Sequence, residues 1–470
     1  MKASFLRFFK FVLSVSLFAI GGLAYAQSGS GEPTVKFKTI FSFNGTDGSF
    51  PNSPLVQGPN GDFYGTDSSS VIRITPAGVE TVLFTFPCEL GTCPEGGMPA
   101  AGLVLGKDGN FYGTAGYGGT GNVGTVFKIT PAGVLTTLHN FDVTDGAYPG
   151  AMIQAADGNL YGVTPYGGTG FGTVFRISPS GSFKTIYSFC SQLNCTDGTN
   201  PGGMFQASNG NFYGVTGAGG ANGVGGTIFT LTPAGVLTTL HSFCADTYCV
   251  DGNIPSGLVL YSDGNLYGTT LRGGTNSGNT AGTFFQLTPN GKTFTTLYEF
   301  CSLVNCADGA GPGLLIVGTD NNIYGVSGAG DGTIFEATTA GVITTLHVFD
   351  YDDGAGPGVI VQDTDGVFYG TTNTDGIYCA CGTIYGFSVG LGPFVRTNPT
   401  SGVVGSPVTI LGTKLTGATS VSFNGTPASF TVISASEIKT TVPANATTGT
   451  VQVTTPAGTL NSNVVFRVKP

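Results

Sequence analysis

The chain has 470 residues, of which 79 are glycine, none is tryptophan and 9% are charged, with a formal net charge of −10. With 17 Lys and Arg against 27 Asp and Glu, it excludes nucleic acid as a partner, because such binding rests on neutralising phosphates, and it argues equally against anionic membrane surfaces. Glycine far above the usual ~7%, with Thr, Val, Phe and Tyr between the glycines, points to short pleated strands and tight turns.

Residues 1–26 read as a secretory signal peptide. Lys2, Arg7 and Lys10 form a basic start, Phe11 to Ala24 is mostly apolar, and Ala24-Tyr25-Ala26 is a small-x-small cleavage site. Cleavage after Ala26 would take the net charge from −10 to −13 and deliver the protein outside the cytoplasm, secreted or at the cell surface or periplasm. No later stretch approaches the roughly 20 apolar residues of a spanning helix, so no transmembrane segment is expected.

From there a phrase close to G-N-[FL]-Y-G-[TV] recurs, centred on Tyr64, Tyr112, Tyr161, Tyr213, Tyr267, Tyr324 and Tyr369, at intervals of 48, 49, 52, 54, 57 and 45 residues. A period near 50 marks a repeat architecture. One unit shows four short apolar runs, here called strands a to d: 149–157, 158–164, 172–178 and 183–189. Asp157-Gly158, a Gly-rich stretch and Pro179-Ser180-Gly181 separate them. Asp-Gly between such runs is a hairpin signal, and four antiparallel strands per repeat is the pattern of a β-propeller blade.

Each strand type occurs seven times, yet the chain opens on a strand d (38–43) and the repeats end on a strand c (382–388). The expected fold over residues 35–388 is therefore an all-β, seven-bladed β-propeller closed by its N-terminal strand, which leaves no open sheet edge at the ends. Antiparallel order puts the a–b and c–d turns on one face and the longer, more variable b–c and d–a loops on the other, where binding residues are expected.

Four cysteine pairs follow strand d where the d–a loop is longer: Cys88 with Cys93, Cys190 with Cys195, Cys244 with Cys249, and Cys301 with Cys306. They are expected to be local disulfides of an oxidising compartment, each worth ~2 kcal/mol. Cys379 and Cys381 are left open between a strained bridge and free thiols.

The three histidines, His139, His241 and His347, share a strand-d slot that elsewhere holds Phe41, Phe84, Tyr187 and Tyr298, so the slot asks for a flat ring rather than a proton shuttle. Gly119 to Gly124 matches G-x-G-x-x-G, but a strand follows it where a dinucleotide site needs a helix. Each d–a loop ends in acid-Gly, at Asp47, Glu95, Asp145, Asp197, Asp251, Asp308 and Asp353. These acids are either turn residues that start the next strand a or a ring of ligand-binding carboxylates at the channel mouth. Asp350, Asp352 and Asp353 are the densest group and a weak calcium candidate; no other cofactor is expected. The strand-b tyrosines are expected to pack between blades, whereas Tyr117 and Tyr166, in b–c loops, are the better ligand contacts.

Residues 389–393 read as a linker. Residues 394–470 carry Asn398-Pro-Thr-Ser-Gly402, VTILG (408–412), VSFNG (421–425) and VQVTTPAG (451–458). This segment resembles the IPT/TIG immunoglobulin-like family, which implies a small β-sandwich acting as a spacer or binding module. The repeats, with GNFYGT, GTVFKITPAG and LTTLHNF, resemble the GloVer tandem repeats of exported bacterial proteins, which implies no known activity. The expected function is a secreted, monomeric, non-enzymatic protein that binds a glycan or a cell-surface or extracellular protein. The alternatives are a polysaccharide lyase or hydrolase using the channel-mouth acids, and a structural envelope component. Acids turned into their own backbone would count against the enzyme.

Overall fold

The computed structural model describes residues 35–51, 53–88, 92–99, 101–276 and 281–470, so the expected signal peptide lies outside the described residues. The repeats form antiparallel sheets of the a-b-c-d order. The first is Val56–Gln57, Phe63–Thr66, Ser70–Ile74 and Glu80–Thr85; the third is Met152–Gln154, Leu160–Thr164, Thr173–Ile177 and Phe183–Ser188. In the seventh, strand a is split into Ala355–Pro357 and Val361–Gln362 around the expected Val359, Phe368–Thr374 and Thr383–Ser388 follow, and the fourth strand is Lys36–Ser42 from the start of the chain.

Lys36–Ser42 has the anatomy of a strand d. In the third sheet the c–d pairing slips between Val174/Phe175, where Tyr187 pairs with Val174 and Thr185 with Phe175. The N-terminal strand slips at the same place, pairing Phe41 with Ile384 and Thr39 with Tyr385. The bulged residue meets the c–d turn of the next sheet. A Cβ on Gly235 would lie 2.7 Å from the Ile186 carbonyl oxygen, and one on Gly78 would lie 2.5 Å from that of Ile40. These turns sit at φ near +90° (91° at Gly235, 86° at Gly78), which glycine adopts without strain.

The repeat tyrosines pack between sheets. Tyr64 stacks on Phe111 at 4.1 Å, Tyr161 lies 4.5 Å from Phe212, Tyr324 4.5 Å from Phe368, and Tyr369 4.3 Å from Phe63. The last of these joins the seventh sheet to the first. Their hydroxyls are latched four residues back: Tyr112 donates to Asp108 at 2.7 Å, Tyr161 to Asp157 at 3.0 Å and Tyr324 to Asp320 at 2.7 Å. Burial raises the Asp108 carboxyl, but the bonds from Asn110 and Tyr112 outweigh it and hold it below the usual carboxylate range. Buried phenols are thereby satisfied, as a packed core requires.

Residues 396–468 form two four-stranded sheets over one core, with a short parallel pair of Ser401–Gly402 and Arg467–Val468 beside them. Arg396–Asn398, Pro407–Leu411, Glu437–Thr441 and Phe430–Val432 make one; Thr426–Pro427, Ser420–Phe423, Val451–Thr455 and Gly458–Asn461 make the other. Val408, Ile410, Phe423, Ile438, Val453 and Phe466 fill the space between them. This piece is seated on the turn face of the repeats, not held off as a free spacer. Ser436 Oγ donates to the Pro59 carbonyl at 2.7 Å, Asn398 Nδ2 to that of Gly106 at 3.2 Å and Lys469 Nζ to that of Ala156 at 2.7 Å. The loop face is left uncovered by it. Among the described residues no helix is long and apolar enough to cross a membrane.

Candidate binding site on the loop face

The acids that end the d–a loops turn back into those loops. Asp145 Oδ1 accepts the Asp142 amide at 3.0 Å, Asp197 Oδ2 that of Ser191 at 3.0 Å, Asp251 Oδ1 that of Cys244 at 2.9 Å and Asp308 Oδ2 that of Ser302 at 2.9 Å. Asp47 and Asp353 do the same with Asn44 and Asp350, both at 2.9 Å. The carboxylate therefore caps its own loop upstream; it does not start the next strand. The loop of Glu95 runs through residues 89–91, outside the described residues. The glycine after each acid is fixed by space as well as angle. Gly198 has φ 93°, and a Cβ there would lie 2.3 Å from Thr216 Oγ1.

The strand-d ring slot supplies the second bond: each histidine is a flat ring stacked on a neighbour, on Phe183, Phe294 or Phe37, and its polar atom also reaches the acid. His139 Nε2 lies 2.8 Å from Asp145 Oδ2, His241 Nε2 3.0 Å from Asp251 Oδ2 and His347 Nε2 2.8 Å from Asp353 Oδ2. Tyr187 and Tyr298 donate at 2.7 Å to Asp197 and Asp308. In five of the seven copies the slot holds a ring whose polar atom lies within hydrogen-bond distance of the acid, and Phe41 and Phe84 are the exceptions. Burial, followed by the Asp197 carboxylate, pushes the Tyr187 phenol up to about 12. Asp308 is raised by burial, but the bonds from Tyr298, Ser302 and Leu303 prevail and lower it. Asp197 and Asp308 are 0% and 2% exposed, so neither faces an open channel mouth.

Asp350, Asp352 and Asp353 do not converge. Asp350 Oδ1 accepts the amides of Asp352 and Asp353 at 3.0 and 3.2 Å, while Asp353 turns to His347. Among the described residues no group of three or more His, Cys, Asp or Glu side chains is placed to hold a metal ion.

The four expected disulfides are present: Cys88 is bonded to Cys93, Cys190 to Cys195, Cys244 to Cys249 and Cys301 to Cys306. Cys379 is bonded to Cys381, which settles the pair left open by the sequence. In three of the four expected pairs the second cysteine does more than close its own loop. The Cys93 carbonyl accepts the amides of Gly96 and Gly119 at 3.0 and 2.8 Å, that of Cys195 the amides of Gly198 and Gly220 at 2.9 Å each, and that of Cys249 the amides of Gly252 and Gly274 at 2.9 and 3.1 Å. Each of these carbonyls thus ties the d–a loop to the b–c loop of the following sheet. The Cys306 carbonyl accepts the Gly309 amide at 2.7 Å. These cysteines are scaffold for the loop face and not its ligand contacts.

Tyr117 and Tyr166 come together through a third ring. Tyr148 lies edge-on to Tyr117 at 5.2 Å and to Tyr166 at 5.8 Å, and the three are 37%, 44% and 53% exposed in that order. Backbone pairing fixes their places: Tyr117 exchanges amide bonds with Gly97 at 2.9 and 3.0 Å, the Tyr166 carbonyl accepts the Ala147 amide at 2.9 Å, and the Tyr148 amide reaches the Val123 carbonyl at 2.8 Å. Met98, beside Gly97, extends the arc and is 57% exposed.

Tyr148 also occupies an unusual backbone position. The residue before the strand-a proline has positive φ throughout: 54° at Phe50, 50° at Met98, 57° at Tyr148, 58° at Asn200 and at Ile254, 62° at Gly311 and at Gly356. Glycine meets this conformation without strain in the last two repeats, whereas Phe, Met and Tyr meet it at a cost of order 1–3 kcal/mol. Sequence reasoning missed Phe50, Met98 and Tyr148. The signal was the column before Pro51, Pro99 and Pro149, which is bulky in the first repeats and Gly in Gly311 and Gly356.

The sequence matches the Gloeobacter/Verrucomicrobia repeat over residues 28–201 and 190–385, and the IPT/TIG domain over residues 394–468. No curated protein matches it. Among solved structures it is similar to a streptogramin B lyase, with a TM-score of 0.54 and 14% identity over 75% of this chain and 97% of that one. It is also similar to the extracellular domain of a candidate one-component system from B. thetaiotaomicron, with a TM-score of 0.50 and 13% identity over 93% of this chain and 58% of that one. At such identity these likenesses show a shared propeller-like, all-β fold. The chain belongs to the Gloeobacter/Verrucomicrobia repeat family and carries a C-terminal IPT/TIG domain.

Proposed function

We propose that this is an exported, monomeric, non-enzymatic binding protein whose seven sheets close into one propeller, and that the arc Met98–Tyr117–Tyr148–Tyr166 is its contact with a protein partner. The observation that carries the reading is Tyr148: a large ring kept exposed, at positive φ, between two other exposed rings. Backbone strain of this kind collects at binding sites, and exposed Tyr with a neighbouring Met is the chemistry of interface cores. A protein suits the arc better than a glycan. The rings stand edge to face, at 75° and 86°, so they offer a ridged apolar surface in place of one flat stacking platform.

The acid geometry supports the non-catalytic reading, since an acid–base pair needs oxygens free to reach a substrate and the oxygens of Asp47, Asp145, Asp197, Asp251, Asp308 and Asp353 serve their own loops. The disulfides, the expected signal peptide and the likeness to an extracellular domain support export. Closure is supported by the N-terminal strand sharing the bulge of the other d strands and by the packing of Phe63 on Tyr369.

Binding of the labelled full chain to cells of its source tests the reading. Saturable binding should be lost in a Tyr117→Ser/Tyr148→Gly/Tyr166→Ser variant and after protease treatment of the cells. Binding that survives protease and disappears after periodate oxidation would point to a glycan partner. Binding indifferent to the triple variant would refute the site.

A further inference from the structure

The junction between the repeats and the C-terminal domain encloses a second site. A cavity of 550 Å³ lies there, in the size range of small-molecule pockets. Its apolar wall includes Val104, Met152, Ile153, Phe205 and Val465. The charged side chains lining it are Lys107, Arg396 and Arg467, with no Asp or Glu among the described lining residues. That is an unusual concentration in a chain with 17 Lys and Arg and a net charge of −10.

Arg396 and Lys107 have only weak counter-charges, Asp363 and Asp157. Arg396 donates to the Gln362 carbonyl at 2.7 Å and its guanidinium lies 6.0 Å from the Phe394 ring, but it joins no ion pair among the described residues. Burial lowers its pKa and Asp363 only partly opposes this. Burial also pushes the Asp363 carboxyl up to about 7, so it is a weak counter-charge near neutrality, and its Oδ1 is unpartnered. The Lys107 ammonium is lowered by burial and by Lys469, with Asp157 the only acid acting on it in return. Arg396 is half-buried while Lys107 and Arg467 are exposed, so the acid-free lining presents a cationic wall open to an anion. One further donor waits in the same wall: Thr397 Oγ1 is without a partner, on a side chain 4% exposed.

We infer that the junction cavity binds a small organic carboxylate, its carboxylate held between Arg396, Arg467 and Lys107 and its apolar body lying against Met152, Phe205 and Val465. Thr397 would donate to the same anion, as hydroxyls and guanidinium groups do in carboxylate sites. The site is on the opposite face from the tyrosine arc, so the two can be lost independently.

Titration calorimetry of the full chain with 4-phenylbutyrate, 4-phenylbutyramide and inorganic phosphate tests it. The acid should bind with one-to-one stoichiometry, the amide at least about tenfold more weakly. Arg396→Gln should weaken the acid at least about tenfold. Because that change also removes a bond to Gln362 and can loosen the junction, Arg467→Gln, at an exposed position, and Lys107→Met serve as second variants; each should weaken binding at least about threefold with the thermal transition kept. Equal binding of acid and amide, binding of phosphate alone, absence of binding by the acid, or an affinity unchanged in all three variants would each overturn the inference.

Discussion

Tyr148 stands at φ 57° immediately before Pro149, in a column where Gly311 and Gly356 show that glycine also serves. On the proposed function, Tyr148 is kept there for its exposed side chain. Tyr148→Gly should therefore leave stability within about 1 kcal/mol, relief of strain offsetting the lost ring contacts, while partner binding is abolished. Thermal unfolding and binding measured on one preparation check both halves. The ring slot beneath gives the opposite expectation. His139→Phe removes the polar partner of Asp145 and should cost roughly 1–3 kcal/mol, whereas His139→Tyr, which copies the pairing of Tyr187 with Asp197, should recover most of it; denaturant midpoints of the two variants decide this.

At the scale of strands, the repeat unit was legible because turn chemistry and short apolar runs recur together in each copy. The Asp157-Gly158 hairpin, the Tyr161 latch and the Pro179–Gly181 turn all point to the same four strands. The C-terminal strands at Pro407–Leu411 and Val451–Thr455 were legible for the same reason, but Arg396–Asn398 and Gly458–Asn461 were not, since neither has an apolar alternation of its own. The cysteine staples were legible from spacing, yet the bonds from the carbonyls of Cys93, Cys195 and Cys249 to the neighbouring b–c loops were not, because they join segments more than 20 residues apart. The candidate site was only half legible. Tyr117 and Tyr166 are marked by glycine-rich loops, but Tyr148, which joins them, stands out only once the column before the strand-a prolines is compared across repeats. The acids were placed correctly on the loops, yet the direction of their bonds depends on side-chain geometry that spacing does not encode. Lys36–Ser42 has the pairing and bulge of a strand d, so deleting residues 35–45 should lower the melting temperature of the whole repeat region in a single shift. Calorimetry showing an unchanged transition would remove the case for closure.

On the proposed reading, the two faces of the molecule divide the labour. The turn face is covered by the C-terminal domain and carries the basic cavity; the loop face is open and carries the tyrosine arc. The junction should respond to pH through Asp363, whose carboxyl is pushed up to about 7, first by burial and then by Asp365. Between the ordinary carboxylate value near ~4 and that value, the unfolded chain releases a proton that the folded chain retains. Stability should thus fall as pH rises through this window and level off above it. Asp363→Asn should flatten that slope and gain roughly 1–3 kcal/mol at pH 8 with little change at pH 4, read from unfolding curves at both values.

The division of faces is tested most directly by comparing two matched variant sets in equilibrium binding to the source cells. One replaces Tyr117, Tyr148 and Tyr166 on the loop face with Ser, Gly and Ser. The other replaces Val79, Val134 and Val236, which are 62%, 63% and 62% exposed at the c–d turns of the opposite face, with Ser. The account predicts at least about a tenfold loss of affinity for the tyrosine set and less than about a twofold change for the valine set. Equal losses, or a loss confined to the valine set, would contradict it.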